Sequence, residues 1–384
     1  MAYGDIGAVI ETLEFDQVGG QQCWGIHVAG DVYAVAYLGE NYYLKVATFS
    51  INAAGAISDS VLAVKTLSGI WGVLPHIIKI AANVFAIAYQ GANFHLTIQT
   101  ISISDDGLTI ATIETLIIVA ADCRGPQIIH VADNYYAVSY SHTAITTIKV
   151  STITISAVGA IGGIGDTITL TAAGGYYTNI LAVGGSIFAA LYIDTVNGVT
   201  VATVEISDTG GMGDNPEDTQ IIDAQTNCSR IEMTEALAGV FAIAHSGTDI
   251  DGFVSTVTID ALGAISGVVD SLEIHTADAT QFHIIHIGQG ICAITFKKDI
   301  ALDGCVATVS IDAAGDNITV IDPGFDFETT SYIDGMLLQV DGDIYAVFYG
   351  GVGADGFVIS LDISTPPPGP AEIVHHEMLM GMGP

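Results

Sequence analysis

Positive charge is the scarcest property of this 384-residue chain. Eight Lys and Arg stand against 42 Asp and Glu, a formal net charge of −34. A field of that sign repels nucleic acid and anionic membrane surfaces, leaving cations, basic proteins and neutral ligands as partners. Only Arg124 and Arg230 are arginines, which excludes a clamp of three arginines of the sialidase kind. No run of about 18 apolar residues marks a membrane span. The opening residues, MAYGDIGAVIETLEFD, lack the basic start and long apolar stretch of a classical signal peptide. Five cysteines occur, Cys23, Cys123, Cys228, Cys292 and Cys305, with no CxxC pair. The odd count and wide spacing exclude a disulfide framework or zinc module and predict free thiols. HExxH, GxSxG and P-loop motifs are all absent. The sequence therefore predicts no enzyme, no cofactor and no metal.

What the chain has is apolar residues, half of the total, and a phrase that returns. HVAGDVYAVAY (27–37) reappears as KIAANVFAIAY (79–89), HVADNYYAVSY (130–140) and HIGQGICAITF (286–296). Its alanine falls at Ala34, Ala86, Ala137, Ala189, Ala242, Ala293 and Ala346, every 51 to 53 residues. An isoleucine follows each time, at Ile51, Ile103, Ile155, Ile206, Ile259, Ile311 and Ile363. Three residues before it stands a hydroxyl: Thr48, Thr100, Thr152, Thr203, Thr256, Thr308 or Ser360. Each unit reads as four strands, A to D, punctuated by Gly and Asp/Asn turns such as NAAG and DALG. The strands are mostly apolar rather than alternating, which predicts sheets covered on both faces. Units fall at about 17–68, 69–120, 121–173, 174–225, 226–276, 277–328 and 329–364, the last completed by 6–16.

Units of about 50 residues that cannot bury both faces alone predict an all-β, seven-bladed β-propeller. The last unit stops at TPPPGP without a fourth strand, and AVIETLEF (8–15) matches GVVDSLEI (267–274) in residue class. The N-terminal strand is thus expected to complete the last blade. The WD dipeptide, the kelch double glycine and the sialidase Asp box are absent. The repeats resemble uncharacterised tandem-repeat propellers of phages and environmental microbes, a likeness that implies no residue-level function.

Six residues before the strand B aromatic stands a mostly polar position: His27, Lys79, His130, Ala182, Glu235, His286 and Gln339. On an innermost strand it could ring a channel, where three His and one Glu could coordinate a metal or hydrogen-bond a ligand; the alternative, which is preferred, is a hydrated polar layer. DID at Asp249–Asp251 alternates oxygen donors as calcium loops do, but Asp-Gly between strands is ordinary hairpin chemistry. Trp24, Trp71, Tyr42, Tyr43, Tyr176 and Tyr177 fall in or near loops, where they could stack on sugars. The Pro-rich tail (365–384) contains AEIVHHEMLM (371–380), and its apolar residues Ile373, Val374, Met378, Leu379 and Met380 predict an assembly peptide. The expected role is a non-enzymatic interaction propeller on a virion or extracellular assembly. It would be anchored through the tail to its own copies or other subunits. The alternative is a glycan- or receptor-binding module, and a third reading is an enzyme with its site at the channel mouth.

Overall fold

The computed structural model describes residues 2–366, apart from 70, 143–146, 173, 197, 226–229 and 299–301. Among the described residues the strands form five four-stranded sheets and one seven-stranded sheet, with no α-helix. In the first unit the order from inside outward is Gln21–Ala29, Val32–Leu38, Leu44–Ser50 and Ala63–Thr66. Innermost strands of neighbouring units touch one another around an axis. The seven-stranded sheet arises because Ile265–Gly288 runs on without a loop. Its first part pairs with Asp251–Ile259 of the fifth unit and its last part with Ile291–Lys298 of the sixth.

The strand Ile6–Asp16 pairs antiparallel with Gly356–Ile363, placing Glu11 opposite Ser360. The chain ends also rebuild a turn that other units make with continuous backbone. Gly4 N–H donates to the Ser364 carbonyl at 2.6 Å, and Ser364 N–H donates to the Asp5 carbonyl at 3.0 Å. This pairing protects an edge that would otherwise expose unpaired amides.

The core lies in the seams between units. One cluster joins Val28, Ala34 and Val46 of the first unit to Ile77, Phe85 and Ile101 of the second. Another joins Tyr33 and Phe49 to Ala346 and Phe348 of the last. All seven repeat alanines are fully buried. A larger side chain there would push packed sheets apart.

The repeat hydroxyl has an equally specific task. Thr48, Thr100, Thr152, Thr203, Thr256, Thr308 and Ser360 each donate to a carbonyl in the next unit's C–D turn, at 2.5–2.8 Å. The acceptors are Gly107, Gly159, Gly210, Gly263, Gly315, Gly4 and Gly55, all left-handed (φ between +70° and +87°). Glycine suits that backbone, and an added Cβ at Gly210 would lie 2.6 Å from the Tyr135 ring.

A carboxylate staple runs beside the hydroxyl. Glu11, Glu114, Asp166, Asp218, Asp270 and Asp322 accept the backbone N–H of Ile57, Ile161, Met212, Ile265, Ile318 and Ile6, each in the next unit. The first unit has Ala63 at this position. Part of the acidic excess thus has a structural use.

Candidate functional site

The polar position highlighted in the sequence sits at the far end of the inner strand. There most of its side chains turn back on their own A–B hairpin. His27 Nε2 donates to the Gly30 carbonyl at 2.7 Å, His130 to Asp133 at 3.0 Å, and the Gln339 amide to Gly342 at 2.8 Å. Glu235 and His286 accept from the N–H groups of Gly239 and Gly290. Lys79 instead reaches the Val28 carbonyl of the preceding unit, at 2.6 Å. These contacts hold turns and neighbours together, and each is local to its own seam or hairpin.

Three residues earlier in each unit the sequence places Trp24, His76, Gln127, Asn179, Glu232, His283 and Met336. The structure brings these into a ring about the axis. The Trp24 and His76 rings lie 4.1 Å apart. Asn179 Nδ2 donates to Gln127 Oε1 at 3.0 Å and lies 3.5 Å from Glu232 Oε1. Glu232 Oε2 is 3.5 Å from His283 Nε2. Backbone N–H groups of the next unit anchor several members. Ile128 donates to His76 Nδ1, Leu337 to His283 Nδ1, and Gly25 to Met336 Sδ. Burial, with a smaller push from Arg230, drives the His76 imidazole down to about 3. Burial raises the Glu232 carboxyl to about 8, against the opposing pull of Arg230. At neutral pH His76 is therefore uncharged and Glu232 mostly protonated.

Two residues earlier again, the backbone turns left-handed in every unit, as a bulge in six of the inner strands. Gln22, Leu74, Gly125, Tyr177, Arg230, Gln281 and Asp334 all adopt φ between +43° and +59°. Six of these are not glycine, so the left-handed backbone is strained and recurs in every unit. A bulge re-aims side chains, and here it lines a small axial cavity of about 50 Å³. Arg230 lies at that cavity, its guanidinium 5.6 Å from the Trp24 ring and Nη1 3.7 Å from Asp334 Oδ1.

A second, larger concavity of about 450 Å³ lies at the loop face over the seam of the first two units. It is lined by Asn41, Tyr43, Gly69, Trp71, Ala92, Asn93 and Phe94. Trp71 stacks on Tyr42 at 4.7 Å and 13°, and meets Phe94 edge-on at 5.8 Å. Arg124 covers Phe94 at 5.6 Å. Tyr42, Trp71 and Phe94 are nevertheless exposed. Tyr42 and Phe94 both hold positive φ, behind Asn41 and Asn93. Such backbone is costly for aromatics, and it lifts the rings out of the sheet. The short outer strand Ala63–Thr66 ends well before the next inner strand begins at Val73, and Trp71 lines the groove from between them. Of the loop aromatics, Trp24 faces the axis, while Tyr42 and Trp71 form the exposed shelf.

A Ser-His-Asp grouping also appears: His245 Nε2 is 2.8 Å from Ser255 Oγ, and Nδ1 is 3.8 Å from Asp223. Both Ser255 and His245 are only 1% exposed. The position is taken by Tyr37, Tyr89, Tyr140 and Tyr192 in other units, so it belongs to the seam packing. Cys23, Cys123, Cys292 and Cys305 are free, buried thiols, while Cys228 lies outside the described residues. The tail residues Ile373, Val374, Met378, Leu379 and Met380 also lie outside them. Among the described residues no helix is long and apolar enough to cross a membrane.

No protein-family model and no curated protein matches the chain. Solved structures do. A lectin from Burkholderia pseudomallei superposes with a TM-score of 0.65 at 13% identity, over 92% of this chain and 99% of that one. The fold is a β-propeller. Proteins provisionally named 6-phosphogluconolactonases, from Bacteroides fragilis and Bacteroides uniformis, superpose with TM-scores of 0.57 and 0.56. They share 12% and 10% identity and cover 79% and 78% of this propeller, against 84% and 83% of their own chains. At such identities the likeness concerns the fold.

Proposed function

We propose that this chain is a non-catalytic, seven-bladed binding propeller whose aromatic groove holds a carbohydrate. The count of seven reads the seven-stranded sheet as two four-stranded blades sharing Ile265–Gly288, in step with the seven sequence units. The observation that carries the ligand class is the exposed shelf of Tyr42, Trp71 and Phe94 around a 450 Å³ groove. Flat π faces pack against the C–H faces of sugar rings, and the Asn41 and Asn93 amides offer donors and acceptors for hydroxyls. A neutral sugar also suits a chain of net charge −34. Likeness to a lectin propeller agrees with this reading.

We further propose that the protein is displayed on a virion or other extracellular assembly through its tail. Thr365 is tied by its hydroxyl and N–H to Asp343, in the A–B turn of the last unit. That rim is opposite the groove. A tail continuing from there would anchor one face to protein partners and leave the aromatic face outward.

A glycan array followed by calorimetry tests the proposal. Binding should be lost on Trp71→Ala and kept on Trp24→Phe. Silence of the folded protein across the array, or unchanged affinity after Trp71→Ala, would sink it.

A further inference from the structure

The axial cavity is separate from the groove, and its lining has a consistent chemistry. Gln22 Oε1 accepts from Leu74 N–H at 2.8 Å, so its amide offers N–H groups. Gln127 Oε1 accepts from Asn179, with the same result. His76 Nδ1 accepts from Ile128 N–H, which leaves the proton of the neutral ring on Nε2. Arg230 adds five donors on a rigid planar fork, with its side chain only 15% exposed. Its contact with Asp334, 3.7 Å, is too long for a hydrogen bond. Among the described residues no hydrogen bond to the guanidinium is seen. Against these donors, the lining has Asp334 as its one charged acceptor.

A ring of donors around a buried guanidinium calls for an acceptor. The volume limits its size: about 50 Å³ admits a few waters or one small planar group, and no sugar ring. We propose that the axial cavity is a second ligand site, which binds a carboxylate through Arg230, with Gln22, Gln127 and His76 as further donors. A carboxylate matches the guanidinium fork edge to edge, in a way that a spherical anion does not. The depressed basicity of His76 keeps that side chain a neutral donor at physiological pH. The carboxylate can belong to a free small acid or to a larger molecule, such as a uronic acid, whose body stays outside the cavity. The proposal does not depend on the groove binding sugar.

The two tryptophans make a direct test, because one stands in each concavity. In full-length Trp71→Phe protein, Trp24 is the sole indole. Its fluorescence would be titrated with sodium acetate, sodium glucuronate and sodium chloride at constant ionic strength and pH 7. A saturable change with acetate and glucuronate, absent with chloride, is the expected result. Saturation with glucuronate alone would still support the site and place the carboxylate on a larger molecule. Arg230→Lys, checked for an unchanged far-ultraviolet spectrum, keeps the charge and loses the fork. It should weaken binding roughly tenfold or more. No saturable signal with either carboxylate, an equal response to chloride, or full affinity in a folded Arg230→Lys protein would each overturn the proposal.

Discussion

Six seams of the propeller carry two clamps, and the seam between the first and second units carries one. Every seam has the buried hydroxyl that donates to a left-handed glycine carbonyl. Only the first lacks the carboxylate staple, since Ala63 replaces Glu or Asp. The same seam has the four-residue outer strand Ala63–Thr66 and, at its opposite end, the aromatic groove. The two features share a cause. The outer strand stops after four residues, and Gly69 and Trp71 beyond its end line the groove. Regularity holds a ring closed, and the departure from it makes a concave surface.

The largest effect should come from breaking the closing seam. Removing residues 1–16 takes away a whole outer strand, the Gly4 acceptor of Thr308 and the Glu11 staple. It also removes buried Phe15 and the Asp16 pair with Lys45. The loss should exceed the roughly 3–5 kcal/mol that truncating one buried Phe costs. The truncated chain should aggregate or lose its cooperative thermal transition. A melt like that of the full chain would show that closure contributes little.

A second test separates the axis from the rim. Between about pH 4.5 and 8, folded Glu232 holds a proton that the unfolded chain has released. Stability should therefore fall as pH rises through that window, at a slope of up to about 1.4 kcal/mol for each step of one in pH. His76 acts oppositely, because the unfolded imidazole gains a proton that the folded one refuses. Its contribution is lost as pH falls from 6.5 toward 3. Glu232→Gln should raise the melting temperature at pH 9 and change it little at pH 5. Equal effects at both would remove the carboxyl from the explanation.

The staple itself can be exchanged between seams. Asp218→Ala makes the seam after the fourth unit resemble the first, at a cost of about 1 kcal/mol in denaturant unfolding. No change in midpoint would mean that water replaces the carboxylate without loss. The smallest effect belongs to Ala63→Glu, which supplies the missing acceptor. A gain of about 0.5–1 kcal/mol is expected, since the partner amide lies at the start of Ile110–Val119. A loss of stability there would show that the first seam has no space for the staple.

The repeat phrase and its spacing carried most of the fold, because each position repeats one physical demand. The alanines, the hydroxyls and the turn glycines meet the same neighbours at every seam. The candidate site was less legible. His27, His130 and His286 drew attention as candidate ligand residues, and in the structure each bonds within its own hairpin. The axial ring was present in the same alignment of units, three positions earlier. Its members share no residue type, and Trp24, Asn179 and Met336 resemble one another only in place. The shelf of Tyr42, Trp71 and Phe94 joins a B–C loop, a D–A connection and the next B–C loop. No local pattern links those three segments.

The sequence by itself determined the repeating strand unit, the small residue at each seam and the outer strand supplied by the N-terminus. Those follow from covalent order and from the need of an apolar sheet to cover both faces. Tertiary structure decided which side chains face the axis. That depends on left-handed backbone at Gln22, Leu74, Tyr177, Arg230 and their counterparts, which composition does not announce. It also decided the charge state of Glu232 and His76, because desolvation requires the surrounding units to be in place.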